Sequence, residues 1–144
     1  MSIYARYKKS ADGFRQLVEL LEAAPKAKRD KMIEVGMQED PDYTYKALEF
    51  VIHWEDILKL NELELAELVS AAPANFLAHA FSAASNEIKD TVLRCAKPPK
   101  NGEIKDFFES EISKAQIGVA QLKIITIMRD LERKGKIHTK RIPT

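Results

Sequence analysis

Three histidines, one cysteine and a run of alternating charges are the residues of this 144-residue chain that could carry chemistry. His53, His79 and His138 lie far apart, and none falls into a His-Glu-x-x-His or similar metal-ligand spacing. His79 sits among Leu77, Ala78, Ala80 and Phe81, the setting of a half-buried structural histidine whose ring is hydrogen-bonded. Cys95 follows Arg94, whose charge could favour a thiolate. No base stands near it in sequence, so it reads as an inert thiol. A phosphate-cradling P-loop, a dinucleotide fingerprint and a nucleophile elbow are all missing. The expectation is a protein that is not an enzyme and uses no cofactor or metal.

The charges say more. Glu103, Lys105, Asp106, Glu109 and Glu111, preceded by Lys97 and Lys100, alternate in sign along one polar face. The plain reading is a solvated face. The functional reading is a ridge meeting a partner of complementary charge, where electrostatics sets encounter rate and orientation more than affinity. A second run, Arg129, Arg133, Lys134, Lys136, Lys140 and Arg141, opposes only Asp130 and Glu132. It lacks interleaved aromatics, and a basic helix end complements the macrodipole. With a net charge of +1 there is no global basic field, so no nucleic-acid partner is expected.

The elements that must position these residues are helical. Hydrophobic residues at 45% and charged residues at 31% fit a soluble globular chain, and a lone cysteine excludes an intramolecular disulfide. No window approaches the roughly 20 apolar residues of a membrane span, and no hairpin turn signal appears. Residues 1–11 read as a polar, loosely attached arm. Phe14, Leu17, Val18, Leu20 and Leu21 form a helical stripe that Pro25 ends, with a second helix to a possible C-cap at Gly36. Asp40-Pro41 opens a third helix, a capping side chain followed by proline in the first turn.

Next comes Phe50–Leu58, with the only Trp and too many apolar side chains for one stripe; this buried joint is either a rigid seam or a hinge, with Trp54 at least a core anchor. Asn61 with Glu64 resembles a capping box, Pro73 restarts the chain, and Ser85 caps a further helix. Lys97–Gly102 reads as a surface loop, followed by a helix over Glu103–Ile112. A long helix over about 113–134, apolar nearly all round its middle, should be central to the second group, with a basic, frayed tail after Gly135. The sum is an all-α chain of about eight helices.

Glu39-Asp40-Pro41, then Trp54-Glu55-Asp56-Ile57-Leu58 and Leu60-Asn61, resemble the C-terminal part of the FliG family of flagellar motor switch proteins. Phe76–Ala84 is similar to that family's "DLALALKGA" landmark, and Met128–Ile137 to its ending. The resemblance covers about residues 12–138 and runs without a gap from 39 to 96. It implies an armadillo-like three-helix group followed by a six-helix bundle, joined by a short apolar hinge. The segments expected are an arm at 1–11, the armadillo-like group at 12–50, the hinge at 51–60, the bundle at 61–138 and a basic tail at 139–144.

The same resemblance implies a non-catalytic rotor component at the cytoplasmic face of the inner membrane, in the flagellar basal body. Lys97, Lys100, Glu103, Lys105, Asp106 and Glu109 would face the stator's cytoplasmic loop, and Val51, Ile52, His53 and Trp54 would be the hinge. A FliM-type switch protein and other FliG-type subunits would be further partners. Ser82 and Ala83 depart from the family's lysine and glycine, and Phe107 from one of two adjacent acids. The family's N-terminal and middle domains have no counterpart here. The chain is thus expected to be either a fragment or a stand-alone paralogue, and a helical adaptor that has lost torque function is the alternative.

Overall fold

The computed structural model describes residues 3–143. Among these, ten helices and no strands occur: α1 (Ile3–Lys9), α2 (Gly13–Ala23), α3 (Lys26–Glu39), α4 (Pro41–Leu48), α5 (Trp54–Leu58), α6 (Glu62–Ala71), α7 (Ala74–Phe81), α8 (Asn86–Cys95), α9 (Lys100–Phe108) and α10 (Lys114–Arg133). The all-α expectation holds. None of the described helices is long and apolar enough to cross a membrane. The chain divides into two compact units, residues 3–52 with 139–143, and His53–His138.

The first unit is built on α1–α4. Leu17, Val18 and Leu21, spaced as one helical stripe, are fully buried with Ala47, Val51, Tyr4 and Ile142. Phe14 packs edge-on against Tyr43 and Phe50 at 5.7 and 5.8 Å, the geometry aromatic quadrupoles favour. The Asp40 side chain caps α4 by accepting from the Tyr43 N–H at 3.2 Å, with Pro41 in the first turn, as the Asp-Pro pair predicts. Pro25 likewise precedes α3.

Three sequence expectations fail here for physical reasons. Residues 1–2 of the expected arm lie outside the described residues, but residues 3–9 form α1, and Tyr4 is 2% exposed with its hydroxyl donating to the Met32 carbonyl. Gly36 is interior to α3 and does not cap it. A Cβ there would stand 2.4 Å from Thr44 Oγ1 and 2.5 Å from Tyr4 Cζ, so glycine is needed for close approach. The tail is not frayed: Ile142 is 2% exposed in this unit's core, and Lys140 Nζ donates to the Val51 carbonyl at 2.9 Å. Thr144 lies outside the described residues.

The second unit is a bundle of the six helices α5–α10. α7 is its most enclosed element, with Leu77, Ala78, Ala80 and Phe81 buried between α9 and α10. α10 is the long spine packed along α7, α6 and α5, but it is not enclosed all round, since Val119 is 58% exposed and the polar Lys123 and Thr126 face solvent. Asn61, Ser85 and Ser113 each cap a helix by accepting from the N–H three residues on. Ser113 and Gln116 form a full reciprocal capping box. Gly135 takes φ +74 and turns the chain after α10, with the Lys136 N–H closing back on the Leu131 carbonyl at 2.9 Å. Ile137 is then buried, and the His138 N–H donates to Glu64 Oε2 at 2.9 Å.

Candidate functional site

The charged face expected over 97–109 is carried by α9, which begins three residues earlier than the sequence suggests. Lys100, Asn101 and Gly102 are its first turn and not a loop, because Pro99 occupies the N-cap. It also ends sooner, at Phe108, where the Ser110 hydroxyl donates to the Phe107 carbonyl at 2.6 Å. Ile104 is fully buried and Phe108 half-buried, one turn apart, which turns the remaining positions outward. Lys97, Glu103, Lys105, Asp106 and Glu109 are all exposed.

Lys100 differs from them. Its ammonium donates to the Val69 carbonyl at 2.6 Å and to the Ser70 carbonyl at 3.4 Å, satisfying orphan acceptors in the last turn of α6. Burial holds it below the ordinary lysine range, with Glu103 pulling the other way. Nothing in the sequence separation of 30 residues signals this contact. Lys97 and Lys100 also border a groove of about 450 Å³ with Glu67, Ser70 and Cys95. The Cys95 thiol is pushed up by burial and by Glu62, despite its neighbour Arg94. Burial and the Glu62 carboxylate, which pairs with Arg94 at 2.6 Å, outweigh the arginine's pull and leave Cys95 a poor nucleophile.

Phe107 is 37% exposed in the middle of the charged face and stacks edge-on with half-buried His79 at 5.8 Å. The expected landmark residue Ser82 ends α7, its hydroxyl donating to the His79 carbonyl at 2.9 Å.

The candidate hinge residues divide between the two units. Val51 and Ile52 are fully buried in the first; His53 and Trp54 are half-buried in the second. The Ile52 N–H donates to Glu22 Oε2 at 2.8 Å, and Glu22 is itself only 3% exposed. The His53 N–H donates to Asp56 Oδ2 at 2.7 Å, at the start of α5. Trp54 meets the buried Phe81 ring at 4.9 Å. Sequence reading passed over Glu22 and Asp56. An acid three residues after an N-cap was a usable signal for Asp56; a buried acid on the α2 stripe gives none.

The profile of the FliG C-terminal domain family matches residues 37–138. The flagellar motor switch protein FliG of Thermotoga maritima is 26% identical over 127 residues, and that of Aquifex aeolicus 27% identical over 138. These alignments cover 87% and 94% of this chain but 38% and 42% of the relatives, so the chain spans about two fifths of their length. A crystal structure of FliG from H. pylori superposes with a TM-score of 0.65 at 20% identity, covering 95% of this chain and 66% of that one, a likeness of fold. Full-length FliG from Aquifex aeolicus gives 0.56 at 26% identity over 93% of this chain and 42% of that chain. With most of its length under that profile and the same all-helical fold, the chain belongs to the FliG C-terminal domain family.

Proposed function

We propose that this chain is a rotor and switch component of the bacterial flagellar motor, working through protein contacts and without catalysis of its own. The observation that carries the reading is the α9 face: among the described residues, Lys97, Glu103, Lys105, Asp106 and Glu109 are exposed and none enters an ion pair. Glu103, Lys105 and Asp106 stand on α9, anchored by Ile104, with Lys97 just before the helix and Glu109 at its C-cap, an arrangement that suits recognition of an oppositely charged surface. The partner of this face is the stator's cytoplasmic loop. Val51, Ile52, His53 and Trp54 form a hinge between the two units, supported by a unit boundary at Ile52–His53. The first unit contacts neighbouring FliG-type subunits, and the hinge region contacts a FliM-type switch protein. The setting is the cytoplasmic face of the basal body.

Lys100 belongs to this face through its position on α9, while its charge serves α6. The test is a titration of the purified chain with the stator loop of the same organism at rising salt. Exposed charges are screened beyond about 10 Å at ~0.1 M. Binding is expected to weaken steeply with salt and to fall when Glu103 and Asp106 are changed to Lys. Salt-insensitive binding, or binding indifferent to those changes, overturns the assignment and favours an adaptor that kept the fold alone.

A further inference from the structure

The groove beside Lys97 and Lys100, about 450 Å³ in volume, lies wholly within the second unit, where the last turns of α6 and α8 meet the first turn of α9. Small-molecule sites run from about 300 to 1,000 Å³ and pair an apolar wall with a few convergent polar groups. Here the wall is Val69 and Ala96, both buried, with Ala66 and Pro98 beside them. Glu67 and Ser70 of α6, Cys95 of α8, Lys97 and Lys100 supply the polar groups.

The charges decide which ligand fits. An ammonium carries three donors, and that of Lys100 spends two of them on the Val69 and Ser70 carbonyls, at 2.6 and 3.4 Å. Its third proton is unspent, and neither Lys100 nor Lys97 enters an ion pair among the described residues. Burial holds the Lys100 pKa down, the mark of an ammonium short of counter-charge. An anion in the groove supplies that charge and meets Lys97 as well. Glu67 limits how much negative charge is welcome. Against two ammoniums it leaves the lining a single positive charge in excess, and the C-terminal ends of α6 and α8 add negative potential. A phosphate dianion exceeds that balance, whereas a carboxylate matches it. The Cys95 thiol, whose pKa burial and Glu62 push up, adds no charge of its own.

We propose that this groove is a binding site for a small organic monocarboxylate. Lys97 and Lys100 share its carboxylate, and its hydrocarbon body lies on Val69, Ala96 and Pro98. The site stands independently of whatever meets the outer face of α9.

Cys95 is the only cysteine of the chain and lines the groove, so it reports occupancy directly. The experiment follows alkylation of Cys95 in the full chain by iodoacetamide as sodium hexanoate is raised, against hexanamide and against sodium chloride at the same concentrations. Hexanoate is expected to slow the reaction in proportion to the free fraction, about tenfold once it stands at roughly ten times its dissociation constant. Hexanamide and chloride are expected to leave the rate unchanged. Lys97→Met, at an exposed position, and Lys100→Met each remove a charged donor and should raise the half-protecting concentration about tenfold. Because Lys100→Met also releases the α6 carbonyls, each variant is compared with its own rate without hexanoate, and a loss of protection in either one supports the site. Equal slowing by hexanamide, no slowing by hexanoate, or protection that survives both lysine changes overturns it.

Discussion

Lys100 and Glu103 lie three residues apart on α9 and carry opposite expectations. The Lys100 ammonium satisfies the Val69 and Ser70 carbonyls from a half-buried position, and a hydrogen bond from a charged donor contributes more than a neutral one. Lys100→Met is therefore expected to destabilise the second unit by about 1–2 kcal/mol, read as a lower urea midpoint at unchanged slope. Glu103→Lys, at an exposed position, should stay within about 0.5 kcal/mol of the parent in the same experiment. Asp40 makes a pH prediction. The hydrogen bond from Lys8 at 2.7 Å, then the Tyr43 amide, hold its carboxyl below the usual range. A carboxyl depressed on folding adds stability that is fully present above its unfolded pKa of about 3.9 and is lost as pH falls through the folded value. Asp40→Asn should flatten the loss of stability below that pH, as followed by circular dichroism during acid titration. At this scale the sequence was legible where partners are local, as with Asp40 and Tyr43. It was not legible where they are distant: nothing in the sequence pairs Arg94 with Glu62, 32 residues away.

Helix starts were the most legible elements, because a cap is a local contract between a side chain and an amide three residues on. Asp40, Asn61 and Ser85 fall where their spacing places them. Chain segments whose burial depends on distant residues escaped. α1 is a seven-residue helix with three basic residues in its last turn, and only the arrival of Met32 and Gly36 makes a site for Tyr4. Ile137 and Ile142 are isolated apolar residues in a basic run, with no period to betray that both are buried. Gly36 gives the sharpest element-scale prediction. In an open helix interior, Gly→Ala stabilises by about 1 kcal/mol. Here the new methyl would press on Thr44 and Tyr4, and overpacking of about 1–3 kcal/mol outweighs that gain. Gly36→Ala should lower the thermal midpoint. Ser113→Ala should also lower it, since losing an N-cap costs about 1 kcal/mol.

For the molecule as a whole, family membership was carried by the order of several weak motifs, none specific alone, and the family profile agrees over residues 37–138. Nothing in the basic run after Gly135 signals that residues 139–143 pack with the first unit. Torque exchange through α9 is the account's central claim, and the most direct measurement is rotation in the native host. Cells whose chain carries Glu103→Lys and Asp106→Lys should assemble normal numbers of filaments, counted by electron microscopy, yet swim slowly or not at all. Unimpaired swimming by those cells would contradict the claim.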